Sequence, residues 1–214
     1  MNIDNAKENM IQHQIRPIGI TDSNLLAALY EIPKEAFSPK KMSSLAYSEF
    51  NPLDSDGQNS LSTFSITKIL QFLSVQKHHS VLQLGCGNGY LTALLAKLAL
   101  SVELCDVDEK TIHTTKHCLK SLGIYNVKYR NSHDWTKMMS DQAYDIIILT
   151  PGCERSYEIY LKQLAIPGRL LYFIKHPGYT KAIMLDKTKK DDCNSLEIAD
   201  FYNNTLKPTQ HFSF

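Results

Sequence analysis

The sequence predicts an α/β protein: a doubly wound, mostly parallel sheet with an N-terminal helical extension and a C-terminal antiparallel hairpin. Three observations predict it. Short apolar runs alternate with helix-periodic segments from about residue 80 onward. The first run, Val81 to Leu84, turns into a helix pattern through three alternating glycines, Gly85, Gly87 and Gly89. Asp106 closes the second run, twenty-one positions beyond Gly85.

Two helical segments are expected ahead of the sheet. The first runs from about Asn5 to Ile15 and stops at Pro17 and Gly19, residues that punctuate helices. Thr21 or Asp22 offers an N-cap for the second, where Leu25, Leu26, Leu29 and Ile32 recur at helical spacing before Pro33. Residues 38–60 read as irregular, with Pro39, Pro52 and the polar stretch DSDGQNS. A third helix, roughly Thr63 to Val75, leads into the first strand.

Strands are then expected near 80–84, 101–106, 126–130 and 144–149, with helices near 89–99, 108–122 and 154–165. A fifth strand should follow a turn at Pro167-Gly168. Past Tyr179, strand-like runs at 180–186 and 195–201 flank the charged segment DKTKKDD, which predicts a hairpin on the sheet edge. HFSF would add a last strand piece. On this reading residues 1–76 form a helical and loop extension packing on a core of residues 77–214.

Composition narrows the class. A chain of 214 residues with 43% hydrophobic and 21% charged residues has enough apolar material for a sizeable globular core. A net charge of +1 argues against a strongly electrostatic nucleic-acid binder. No apolar run reaches transmembrane length, and MNIDNAKENM lacks a signal-peptide core, so a cytoplasmic protein without a membrane partner is expected. Five cysteines without C-x-x-C spacing read as reduced, mostly buried thiols. Cys86 is the expected exception, placed where a helix N-terminus lowers a thiol's pKa. His113 and His117 sit four apart on a predicted helix with no third ligand at suitable spacing, so no metal site is expected.

The glycine turn carries the chemistry. A strand that bends this sharply into a helix lets a ligand lie against bare backbone at a helix N-terminus. Phosphate fits such a cradle, and so does the carboxylate of S-adenosylmethionine. A dinucleotide fingerprint needs glycine or alanine where Tyr90 stands, whereas G-x-G-x-G is the spacing usual in S-adenosylmethionine-dependent methyltransferases. Gly85, Cys86, Gly87, Asn88 and Gly89 are therefore the expected cofactor loop. Asp106 is suited to both ribose hydroxyls of either cofactor, with Val107 beside it. In a doubly wound sheet, loops after the C-terminal strand ends border the ligand crevice. That rule adds His133 and Asp134 after the third strand and Thr150 after the fourth. Trp135 flanks an adenine ring or closes the core.

Several segments resemble one family. MIQHQIRPIGITDSNLLAALYEIPKEAF looks like its opening helices, and GQNSLSTFSITKILQFL resembles its GQTIS segment and following helix. The ungapped distance from Gly57 to Gly85, then YDIIILT, PGRLLYFI and ADFYNNTLKPTQHFSF, match in order and spacing. The family is that of the protein-L-isoaspartate O-methyltransferases and their diverged bacterial relatives. The resemblance implies a class I S-adenosylmethionine-dependent methyltransferase with a Rossmann-like fold. It implies S-adenosylmethionine as cofactor, S-adenosylhomocysteine as product, and an isoaspartyl (D-aspartyl) carboxylate on damaged protein or peptide as acceptor. It leaves the oligomeric state open.

The departures are specific. The family's acid on the first strand is Gln83 here. Its catalytic serine aligns with Leu61, flanked by Ser60 and Ser62, which become the candidate catalytic hydroxyls. Gly-Asp after the third strand is replaced by Ser132-His133, with Asp134 one position on, and the first loop's Arg-Gly is Pro17-Ile18. Two other functions stay open at this point. Methylation of RNA or a small molecule is one, although exocyclic-amine methylation usually goes with N/D-P-P-Y/F where this chain reads LTPG. A non-catalytic relative that binds cofactor or protein is the other, kept open by Leu61 and Gln83.

Overall fold

The computed structural model describes residues 3–48, 61–131, 143–150, 157–177, 179–190 and 192–202. Apolar runs become strands where alternate side chains meet helices on both faces. These strands are β1 (Ser80–Leu84), β2 (Ser101–Asp106), β3 (Val127–Asn131), β4 (Tyr144–Leu149), β5 (Leu164–His176), β6 (Tyr179–Lys189) and β7 (Asp192–Tyr202). They form one sheet in the order β3-β2-β1-β4-β5-β6-β7. The pairs from β3 through β5 are parallel, and β5-β6-β7 is an antiparallel meander. Strand order therefore reverses at β1, whose neighbours are β2 and β4. The crevice beyond the C-terminal ends of β1 and β4 is the place such a sheet offers to a ligand.

Period-two alternation divides the core. Val81, Val102, Leu104, Ile146, Ile148 and Leu171 face one side, and Leu82, Leu84, Cys105, Ile147, Leu149 and Leu170 face the other. The helices are α1 (Ile3–Asn9), α2 (Ser23–Glu31), α3 (Thr63–Leu73), α4 (Tyr90–Leu98), α5 (Glu109–Ser121) and α6 (Tyr157–Tyr160). Leu25, Leu29, Ile69, Leu70, Leu94 and Leu119 join the first side in one continuous cluster, so the N-terminal helices share the core of the sheet. Tyr160 of α6 belongs to the second side.

Local chemistry sets the boundaries. Asp22 caps α2 by accepting from Asn24 N and Leu25 N at 2.8 and 3.1 Å. Ser62 caps α3, which ends at Ser74 in the left-handed region. The expected first helix is α-helical only to Asn9. It widens into a π-helical stretch, Met10–Ile15, that buries Met10, Ile11 and Ile15, and finishes in a 3₁₀ turn before Gly19 at φ 87°. Thus the segment ends where proline and glycine predict, in a different helical form.

Three other expectations change. The described part of the helix expected near 154–165 is only Tyr157–Tyr160, because Gln163 O already accepts the strand bond from Tyr144 N at 2.8 Å. Lys187 Nζ donates to Leu161 O and Leu164 O, holding this early exit in place. The signal at Pro167-Gly168 is a bulge inside β5, where pairing jumps from Tyr144–Leu164 to Ile146–Arg169. A side chain at Gly168 would strike Ala165 O at 2.5 Å. Finally, the charged segment DKTKKDD is mostly strand. Asp186 pairs with Arg169, and the Lys187 side chain is buried, so these two charges serve neighbouring elements, while Lys189, Lys190 and Asp192 are exposed. HFSF lies outside the described residues.

Candidate active site

The site begins where β1 stops. Gly85 N donates to Cys105 O at 2.8 Å, and Thr150 N and Oγ1 both donate to Leu84 O, at 2.9 and 2.6 Å. These bonds lock the ends of β1, β2 and β4 together. Gly85 has φ 86°, and a Cβ there would lie 1.8 Å from Thr150 Oγ1. Only glycine satisfies both the backbone and the threonine. Gly87 differs: its φ is 56°, and a Cβ would meet nothing within 4 Å. That open space beside bare backbone is the cradle the sequence implies.

The corner is held from below and from the side. Cys86 N donates to Asp106 Oδ2 at 2.6 Å, while Asp108 N donates to Asp106 Oδ1 at 2.9 Å. Gly89 N donates to Cys86 O, and Asn88 Oδ1 accepts from Tyr90 N at 3.1 Å. Gly89 is the N-cap of α4 with no side-chain cap, so the positive end of this nine-residue helix faces the cradle. Asp108 caps α5, and its carboxyl is held below its usual range by the Thr111 hydroxyl. Bare backbone braced by Thr150 at Gly85, open space at Gly87 and a carboxylate across the corner at Asp106 fit an amino-acid-plus-nucleoside cofactor.

The structure brings Gly85, Cys86, Gly87, Asn88, Gly89, Asp106 and Thr150 to this corner. Val107 follows Asp106 directly and packs against the second core cluster. Ser62 lies at the start of α3, its Oγ accepting from Ser65 N at 3.1 Å and lying 2.8 Å from Ser65 Oγ. Leu61 packs partly buried against the main core. Ser60, His133 and Asp134 lie outside the described residues, as does Trp135. His113 and His117 lie on the exposed face of α5.

Cys86 corrects an expectation. Its thiol is buried under the loop, beside the Thr115 hydroxyl, and desolvation pushes its pKa up to about 12. Burial outweighs the helix terminus, so this thiol is not activated. Four residues that support the corner carry no motif in the sequence. Asn131 Nδ2 donates to Asp106 O and Val107 O at 3.2 and 3.0 Å, fixing the acidic turn. Gln83 bonds to Gly85 O and to Thr92, and Thr115 Oγ1 sits where a Gly89 Cβ would point. The single threonine of largely apolar α4 is a signal the sequence offers, whereas Thr115 is one of three threonines on α5 and stands out by nothing. Tyr90, fully buried at the start of α4, packs on Phe37 of the N-terminal segment at 5.7 Å between ring centroids.

A seven-stranded sheet with this reversal point and this glycine corner is the class I S-adenosylmethionine-dependent methyltransferase fold. Residues 5–204 match the family model described as Protein-L-isoaspartate(D-aspartate) O-methyltransferase. The chain belongs to that family. It is 31% identical over 175 residues to a protein-L-isoaspartate O-methyltransferase of Aliivibrio fischeri, covering 82% of this chain and 79% of the relative. Among solved structures, a protein-L-isoaspartate O-methyltransferase superposes with TM-score 0.72 at 22% identity. That match covers 92% of this chain, which spans 65% of the other's length. A Plasmodium falciparum chain solved with S-adenosyl-L-homocysteine also gives TM-score 0.72, at 17% identity over 97% of this chain and 99% of that one.

Proposed function

We propose that this chain methylates isoaspartyl carboxylates on damaged protein or peptide, using S-adenosylmethionine, as a cytoplasmic enzyme. The observation that carries the reading is the glycine corner at the strand-order reversal, in a chain of this family. When bound, S-adenosylmethionine supplies a sulfonium methyl group, whose transfer to a carboxylate leaves S-adenosylhomocysteine and a methyl ester.

The residues divide the work by position. The backbone of Gly85, Cys86, Gly87, Asn88 and Gly89 would hold the methionine end, with its carboxylate at the α4 N-terminus. Asp106 would accept the ribose hydroxyls, and Val107 would line the base. Thr150 would buttress the loop from β4, and His133 and Asp134 would extend the wall after β3. On the acceptor side the nucleophile is an ionised carboxylate and needs no general base. The protein's part is alignment and exclusion of water. Ser60 and Ser62 would orient that carboxylate. Ser62 Oγ accepts from Ser65 N and lies 2.8 Å from Ser65 Oγ, so its own hydrogen would reach the carboxylate when the Ser65 hydroxyl is the donor of that pair.

The test is methyl transfer from labelled S-adenosylmethionine to an isoaspartyl peptide beside its aspartyl control. Label should appear on the isoaspartyl peptide alone. Normal S-adenosylhomocysteine binding with neither peptide labelled would make the acceptor assignment wrong.

A further inference from the structure

Buried polar side chains lie beneath the glycine corner. Gln83 and Thr92 have no exposed surface, and Cys86 and Thr115 are nearly as covered. Such groups are costly without partners, so their partners are informative. Gln83 Nε2 donates to Gly85 O at 2.9 Å, and Gln83 Oε1 accepts from Thr92 Oγ1 at 2.9 Å. Chemistry fixes the amide's direction. A carbonyl only accepts, so the nitrogen must face Gly85 O, which leaves the oxygen to the threonine hydroxyl.

The carbonyl of Gly85 and the N–H of Cys86 share one rigid peptide plane. Gripping the first therefore aims the second, and the Cys86 N–H points at Asp106. We propose that Gln83 is a positioning residue for cofactor binding, its amide tying the first peptide plane of the glycine corner to α4. The proposal rests on reading that corner as the S-adenosylmethionine site. It requires a side chain that donates and accepts at once. A carboxylate at the same place has two acceptors and no hydrogen to set between itself and Gly85 O. A protonated carboxyl would restore both bonds. Glutamate at this position, the acidic type found in the resembling family, should therefore work here only while it is protonated.

The test is calorimetric binding of S-adenosylhomocysteine to the full chain from pH 6 to 10. Gln83→Met, which fills the space without polar atoms, should bind roughly tenfold or more weakly at every pH. Gln83→Glu should match wild type at the acid end. Its affinity relative to wild type should then fall as the introduced carboxyl ionises, burial having raised its pKa into this window. Other titratable groups face the corner. They are Cys86 in the loop, Tyr90 on α4, Tyr129 on β3, Asp106 at the end of β2 and Asp108 at the start of α5. The Cys86 thiol and the Tyr129 phenol are each pushed up to about 12 by burial, and the Tyr90 phenol is also raised. Glu35 of the N-terminal segment acts on Tyr90, and its neighbour Lys34 is lowered by burial to about 8; both are shared by variant and wild type and cancel in the ratio.

A ratio flat across the range, or Gln83→Met as tight as wild type, overturns the proposal. Circular dichroism at each pH checks the fold. Should a Gln83 variant unfold, Thr92→Val and Thr92→Ser decide. Weak binding by the first with normal binding by the second supports the tie, and normal binding by both overturns it. Failure of wild type to bind at all would remove the cofactor reading itself.

Discussion

Asp106 receives the Cys86 N–H on one oxygen and the Asp108 N–H on the other. A carboxylate has about four acceptor positions, so two remain for a ligand. Asp106→Ala removes a charge-assisted acceptor, a loss of roughly 1.5–3 kcal/mol, or about tenfold to hundredfold in S-adenosylhomocysteine affinity. Calorimetry on the folded variant checks this. Unchanged affinity would move the ribose to Asp108 or to backbone groups. Asp106 and the glycines were legible in the sequence because their meaning is local, a spacing within one strand–helix–strand unit. Gln83, Thr92, Thr115 and Asn131 were not. Gln83 reads as a departure from an acid, and nothing in the chain says that its partners are Gly85 O and a threonine nine residues on.

The loop and the start of α3 are the elements where function and fold separate. Gly87 has open space around it, so Gly87→Phe should fold with a backbone cost of roughly 1–2 kcal/mol for a left-handed residue. The ring would occupy the cradle, and S-adenosylhomocysteine binding should disappear while the circular dichroism spectrum is kept. Retained affinity would place the cofactor elsewhere. Leu61 lies one residue before the α3 cap and packs partly on the core. Leu61→Ser restores the family's hydroxyl and should raise turnover on isoaspartyl peptide with cofactor affinity nearly unchanged. Equal rates for the two proteins would show that this position does not align the acceptor. At this scale the four parallel strands of the βαβ half were readable to within a residue, since alternation and caps are strong there. The β5 bulge and the long hairpin strands were not. Pro167-Gly168 and DKTKKDD look like turns until Ala165, Arg169, Leu161 and Leu164 are known to lie against them.

Across the whole molecule, one hydrophobic cluster joins the N-terminal helices to the sheet. Leu29 on α2 is fully buried in it, with Leu94 of α4, Ile148 of β4 and Met184 of β6 in the same cluster. Leu29→Ala should cost about 2–5 kcal/mol and lower a single shared transition. Calorimetry that resolved a separate low-temperature melt for the N-terminal segment would contradict this. Periodicity marked Leu29 as a core residue, but the cluster it joins depends on tertiary contacts that no local pattern reports.

The sheet's topology has a further consequence, in the order of assembly. β5 and β6 each pair with the next strand in the chain. β1 must instead find β4, where Val81 meets Ile146 across most of the intervening sequence. Closing that span costs more chain entropy than folding the meander, and parallel pairing is the slower kind. A chain emerging from the ribosome carries its glycine corner long before Thr150 exists to brace it. Newly made molecules should therefore gain S-adenosylhomocysteine binding only once β4 has docked, which binding to ribosome-held chains ending before and well after Thr150 would test.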